Sequence, residues 1–81
     1  MIKVFLVEDE YVIREGIKKN IDWQAHGYEF CGEAGDGELA FPMIQELRPD
    51  IVITDIRMPF MDGLALSSLV NKELPGTKII I

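Results

Sequence analysis

The chain has 81 residues, with 14 acidic residues against 8 basic ones and a formal net charge of −6. That length accommodates one domain with a modest core, and 48% hydrophobic with 27% charged residues is the composition of a globular chain, not a disordered one. The acidic balance excludes a surface built to grip phosphate backbones and suits one that attracts cations.

The first predicted strand is Ile2 to Val7, an apolar run that stops abruptly at Glu8-Asp9-Glu10. A run of this kind bounded by polar residues reads as a strand buried on both faces, the habit of parallel sheets. Its start, Met1-Ile2-Lys3-Val4, shows no signal-peptide pattern. A helix is expected over Tyr11 to Asn20, with Val12, Ile13, Gly16, Ile17 and Ile21 as its inward stripe and Arg14, Glu15, Lys18 and Lys19 turned to water. Glu10 favours the positive end of that helix. A connection through Asp22, Trp23 and His26 to Gly27 follows, in which Trp23 is expected to plug the bottom of the core and His26 to be structural or solvent-facing.

The second strand runs from Tyr28 or Glu29 to Ala34, and Glu29 and Glu33 within it predict an edge position. Cys31 is the single cysteine, so no internal disulfide can form, and a small buried hydrophobe in a reducing cytoplasm is expected. Asp36, as N-cap, opens a second helix that continues to Leu47 before Arg48-Pro49-Asp50. Pro42 inside it predicts a kink or a delayed start, at a cost of ~3 kcal/mol. The third strand, Ile51 to Thr54 or Asp55, again ends on a carboxylate. Thr54 is expected to be packed, and Met58 and Met61 of the following loop to fill the core. Asp62-Gly63 reads as a turn and cap before a third helix, Leu64 to about Lys72, and a fourth strand is predicted over Lys78 to Ile81.

Strands alternating with helices at this spacing predict an α/β fold, a doubly wound parallel sheet in a single domain over residues 1–81. Open sheets of that kind bind ligands at the carboxyl edge of the strands. Glu8, Asp9 and Asp55 converge there, and three carboxylates so close together call for a cation or a raised pKa.

The residues themselves then show a resemblance. Glu8-Asp9, Asp55 and Ile56-Arg57-Met58-Pro59-Phe60-Met61-Asp62-Gly63 resemble the acidic pair, the phospho-accepting aspartate and the D-x-x-M-P-x-M-D-G loop of the receiver domains of bacterial two-component response regulators. Asn20-Ile21-Asp22-Trp23 with His26-Gly27-Tyr28 is similar to the subgroup that carries an AraC-type helix-turn-helix output. The resemblance covers the chain and implies a flavodoxin-like topology with the family's strand order 2-1-3-4-5, of which 2-1-3-4 is expected here with the fifth strand missing. It implies that Asp55 takes a phosphoryl group from a histidine kinase. It also implies Mg²⁺ held by Glu8, Asp9, Asp55 and the backbone carbonyl of Arg57. The kinase would dock on the first helix, and DNA would be bound by an output domain, not by this segment.

The family's hydroxyl residue after strand 4 and its lysine and switch aromatic on strand 5 fall after Ile81. Impaired phosphorylation of the 81 residues alone, and self-association through the uncovered fourth strand, are therefore expected. An aspartate-based phosphatase is disfavoured because such enzymes carry a second aspartate two residues after the nucleophile, where this chain has Arg57. The alternative is a non-catalytic cation-binding or dimerisation module.

Overall fold

Val4, Phe5, Leu6 and Val7 of β1 (Ile2–Val7) are all buried, as a central strand covered on both faces requires. The computed structural model describes residues 1–81. After β1 the chain forms α1 (Tyr11–Asn20), a 3-10 turn (Gln24–His26), β2 (Tyr28–Ala34), α2 (Gly37–Leu47), β3 (Ile51–Thr54), α3 (Gly63–Glu73) and β4 (Lys78–Ile80). The strands are parallel in the order β2-β1-β3-β4, the doubly wound sheet that the alternating pattern predicts in the flavodoxin-like order that the resemblance implies. β2 lies at an edge, where Glu29 and Glu33 place it.

Side chains alternate across a strand, so β1 serves two layers. Phe5 and Val7 join Val52, Ala40, Ile44, Leu66 and Val70 in a core between the sheet and the paired helices α2 and α3. Cys31 packs against that core half-buried, and burial raises its thiol pKa. On the opposite face Leu6 and Ile53 line a cavity together with Ile17 of α1. Between Val4 and Phe5 the pairing with β2 shifts by one residue, so Phe5 lies opposite Gly32. A Cβ on Gly32 would stand 2.8 Å from the Phe5 ring, which is why that strand carries a glycine there.

The orientation of α1 departs from its sequence pattern. No residue of α1 is buried: Val12 is 81% exposed, Ile13 and Ile21 are exposed too, while Arg14, Glu15 and Lys18 turn inward. Arg14 Nε lies 3.0 Å from Glu33 Oε1, and Lys18 Nζ lies 2.8 Å from both Glu33 Oε2 and Glu15 Oε1. Glu33 projects a carboxylate from the edge strand onto this face, and a half-buried charge must be paired. Arg14 and Lys18 therefore turn to the sheet beside Gly16 and Ile17, the two half-buried members of the expected stripe, and of the four charged residues expected in water only Lys19 is fully there.

These pairs set a pH dependence. The Lys18 ammonium, then the Arg14 guanidinium, hold the Glu33 carboxyl below its ordinary value against the opposing effect of burial. A lowered folded-state pKa contributes stability that is present above the ordinary value of 4.5 and lost as pH falls through the lowered one. Glu33→Gln is expected to cost less than about 1 kcal/mol at neutral pH, since the pairs are partly solvated. The gap to wild type closes in acid, as thermal melts across the acidic range will show.

Of the two outcomes expected at Pro42, a kink or a delayed start, the second is overturned, and so is the place expected for Trp23. α2 has no delayed start: it begins at Gly37 and runs unbroken through Pro42, because Asp36 Oδ1 accepts from Leu39 N at 2.8 Å and buried Ala40 and Ile44 anchor the helix. Pro42 forfeits one ladder bond, the one its missing N–H would make to Glu38. Trp23 does not plug the main core. It lies half-buried on the α1 face, its ring centroid 5.4 Å from that of Phe30 and its Nε1 donating to the Lys18 carbonyl at 3.1 Å. The indole N–H needs a partner that the apolar core cannot supply.

Candidate functional site

The chain leaves β1 toward β2 on one side and β3 toward β4 on the other, so the sheet's winding reverses between β1 and β3. Val7 pairs with Thr54 at the ends of these strands, and Glu8, Asp9 and Asp55 follow directly. Glu8 N donates to the Ala34 carbonyl at 3.1 Å and Asp55 N to the Val7 carbonyl at 3.2 Å. Both acidic corners are thus tied to the sheet. Carboxylate oxygens of Glu8, Asp9 and Asp55 lie within 4.8 Å of one another.

The three acids differ in environment. Asp9 and Asp55 are exposed, whereas Glu8 is buried. Burial pushes the Glu8 carboxyl above its ordinary pKa, with Asp9 and Asp55 adding to the effect; the Glu10 N–H, donating to Glu8 Oε2 at 3.0 Å, opposes it. An all-oxygen donor set with accumulated negative charge fits a small hard cation such as Mg²⁺. Beside it opens a cleft of about 580 Å³ lined by Asp9, Ile56, Arg57, Met58, Pro59 and Asp62, room enough for coordinating waters and an incoming group.

The loop after β3 is held by its own residues. Ile56 N donates to Asp55 Oδ1 at 2.8 Å and the Thr54 hydroxyl to the Asp55 carbonyl at 3.0 Å. Met58 is buried and Met61 packs on the core, as the sequence pattern predicts. Asp62 caps α3 by accepting from Ala65 N at 2.8 Å, and Gly63 N donates to the Ile56 carbonyl at 2.9 Å. Phe60 adopts φ 66° and is 83% exposed, a left-handed backbone that costs a residue with a side chain ~1 kcal/mol. Arg57 is exposed on the cleft, and His26 is solvent-facing in its turn away from the carboxylates. Arg14 enters the site without any signal in the linear pattern: its Nη1 donates to the Glu8 carbonyl at 2.7 Å.

Comparison with known proteins adds a family to this geometry. Residues 4–81 match the response regulator receiver domain. The chain is 38% identical over all its 81 residues to transcriptional regulatory protein YesN of Bacillus subtilis, covering 22% of that protein. It is 44% identical over 66 residues to transcriptional regulatory protein HptR of Staphylococcus aureus, covering 82% of this chain and 26% of the relative. Among solved structures it is similar to the REC domain of AraT, a response regulator from Geobacillus stearothermophilus. That match has a TM-score of 0.90 and 40% identity, and covers 95% of this chain and 60% of the other. It is likewise similar to a two-component transcriptional regulator AraC from Clostridium phytofermentans, at TM-score 0.89 and 32% identity, covering 98% of this chain and 64% of the other. The chain therefore spans about a fifth to a third of the length of the curated relatives it matches. With the carboxylate cluster at the winding reversal and this match across nearly its whole length, the chain belongs to the response regulator receiver domain family.

Proposed function

We propose that the chain is the phosphoacceptor module of a two-component response regulator, receiving phosphoryl from a sensor histidine kinase on Asp55. The observation that carries this reading is the meeting of three carboxylates within 4.8 Å at the carboxyl edge, with Asp55 exposed where β3 passes into the loop lining the cleft. Glu8, Asp9, Asp55 and the backbone carbonyl of Arg57 would hold Mg²⁺. When bound there, such an ion would supply charge neutralisation for the phosphoryl oxygens. Asp55, steadied by the Ile56 N–H on Oδ1, attacks phosphorus through a carboxylate oxygen. A P–O bond forms as the bond from phosphorus to the kinase imidazole nitrogen breaks. The nitrogen keeps the electron pair and takes up a proton, and Asp55 becomes an acyl phosphate.

The exposed Tyr11, Val12 and Ile13 of α1 support a kinase-docking role for that helix. The setting proposed is the cytoplasm, with DNA bound by an output domain, as the transcriptional regulators among the relatives support. The protein is proposed to act as an acceptor, not as a phosphatase with steady turnover of free esters.

Incubation with Mg²⁺ and acetyl phosphate tests the reading. A mass gain of one phosphoryl group is expected in wild type and none in Asp55→Ala; no gain in folded protein at its natural length would defeat it. A second reading, confined to the 81 residues taken alone, is self-association through β4, which is an edge strand there, with its Ile80 52% exposed and the following Ile81 55% exposed. The 81 residues in isolation are expected to self-associate through that edge. Sedimentation at tens of micromolar checks this: a purely monomeric profile would remove the reading.

A further inference from the structure

Arg14 stands between two things that the linear sequence keeps apart. Its Nε donates to Glu33 Oε1 at 3.0 Å on the edge strand, and its Nη1 donates to the backbone carbonyl of Glu8 at 2.7 Å. The Glu8 N–H is meanwhile bonded to the Ala34 carbonyl at 3.1 Å, one residue after Glu33. The peptide units on both sides of Glu8 are thus fastened to β2, one directly and one through a guanidinium. Arg14 is itself fixed: its side chain is only 16% exposed, its backbone N–H donates to the Glu10 carbonyl at 2.9 Å, and its guanidinium carbon lies 5.6 Å from the centre of the Tyr11 ring.

We propose that Arg14 is a positioning residue for the cation site, locking the Glu8-Asp9 corner so that both carboxylates face Asp55. The inference rests on the receiver reading for the identity of the site. The planar fork explains why an arginine serves here. Its two nitrogens donate at once to a carboxylate and a carbonyl from one rigid plane, a fixed geometry that the freely rotating ammonium of lysine does not impose. Lys18 sharpens the contrast, since it binds the other oxygen of Glu33 and Glu15 but makes no hydrogen bond to Glu8. Hydrogen bonds behind ligand residues commonly tune metal affinity through orientation alone.

The test is calorimetric titration of Mg²⁺ into the full-length protein, with Arg14→Lys, Arg14→Met and Lys18→Met compared at a temperature where circular dichroism shows each folded. Arg14→Lys is expected to weaken Mg²⁺ binding about tenfold or more, as loss of an orienting partner does. Lys18→Met is expected to leave binding unchanged while lowering the melting temperature. Should Arg14→Met fail to fold, Arg14→Lys alone decides. Wild-type Mg²⁺ affinity in Arg14→Lys overturns the proposal. So does an equal loss in Lys18→Met, which would make the effect one of general loosening. Phosphoryl uptake from acetyl phosphate is measured on the same samples. Absent uptake by a wild type that binds Mg²⁺ would sink the phosphoacceptor reading and leave the affinity difference at Arg14 standing, whereas a wild type that binds no Mg²⁺ sinks both.

Discussion

Gly63→Ala is expected to destabilise the chain by about 3 kcal/mol and to lower its melting temperature by on the order of 15 °C. A Cβ at Gly63 would lie 2.1 Å from the Asp55 carbonyl oxygen, 2.9 Å from its carbonyl carbon and 3.1 Å from Ile56 Cα. All three are backbone atoms, so no side chain can turn aside. Relief requires the whole strand-end loop to move, breaking the Gly63 N–H bond to the Ile56 carbonyl and loosening the Asp62 cap on α3. The same movement displaces Asp55 from Glu8 and Asp9. Thermal unfolding reads the first effect and Mg²⁺ titration the second. A melting temperature within a degree or two of wild type would show that the close approach between α3 and the β3 strand end is not rigid.

The second large effect is at Asp55 itself, and it has opposite signs for activity and stability. Asp55→Asn removes the proposed nucleophile, so phosphoryl uptake is expected to be lost entirely. Without divalent cation the same change is expected to stabilise the fold by about 1 kcal/mol, because it deletes one of three mutually repelling carboxylates in a partly solvated cluster. Adding Mg²⁺ should raise the melting temperature of wild type through preferential binding to the folded state, and should raise that of the variant much less. Melting curves with and without Mg²⁺ give all four values. Destabilisation by Asp55→Asn in cation-free buffer would mean that the charge assistance of the Ile56 N–H to Asp55 Oδ1 bond, which a neutral amide oxygen does not supply, outweighs the repulsion.

Much of the fold was legible because its signals are local. The apolar runs ending at Val7 and Thr54 defined the two central strands, the acids within Tyr28–Ala34 placed β2 at an edge, and Asp36 and Asp62 marked helix starts that the structure confirms by cap bonds. The acidic corners were legible for the same reason: each lies immediately after its strand, and a parallel pairing brings strand ends together. The orientation of α1, the side of the sheet that holds Trp23 and the place of Arg14 were not legible. Periodicity assigns a helix an apolar side but is blind to a carboxylate arriving from another strand, and Glu33 outweighs the Val12-Ile13 stripe.

By itself the amino-acid sequence determined the order and kind of the elements, the carboxylates at the two strand ends and the loop that begins at Asp55, because each depends on neighbours within a few residues. Only the tertiary structure decided that Glu8 is buried while Asp9 and Asp55 are open. It also decided that Gly63 has no space for a side chain and that Arg14 braces the Glu8 carbonyl against Glu33. Desolvation, close approach and hydrogen-bond geometry are set by atoms brought together from distant parts of the chain, and a linear pattern carries no record of them.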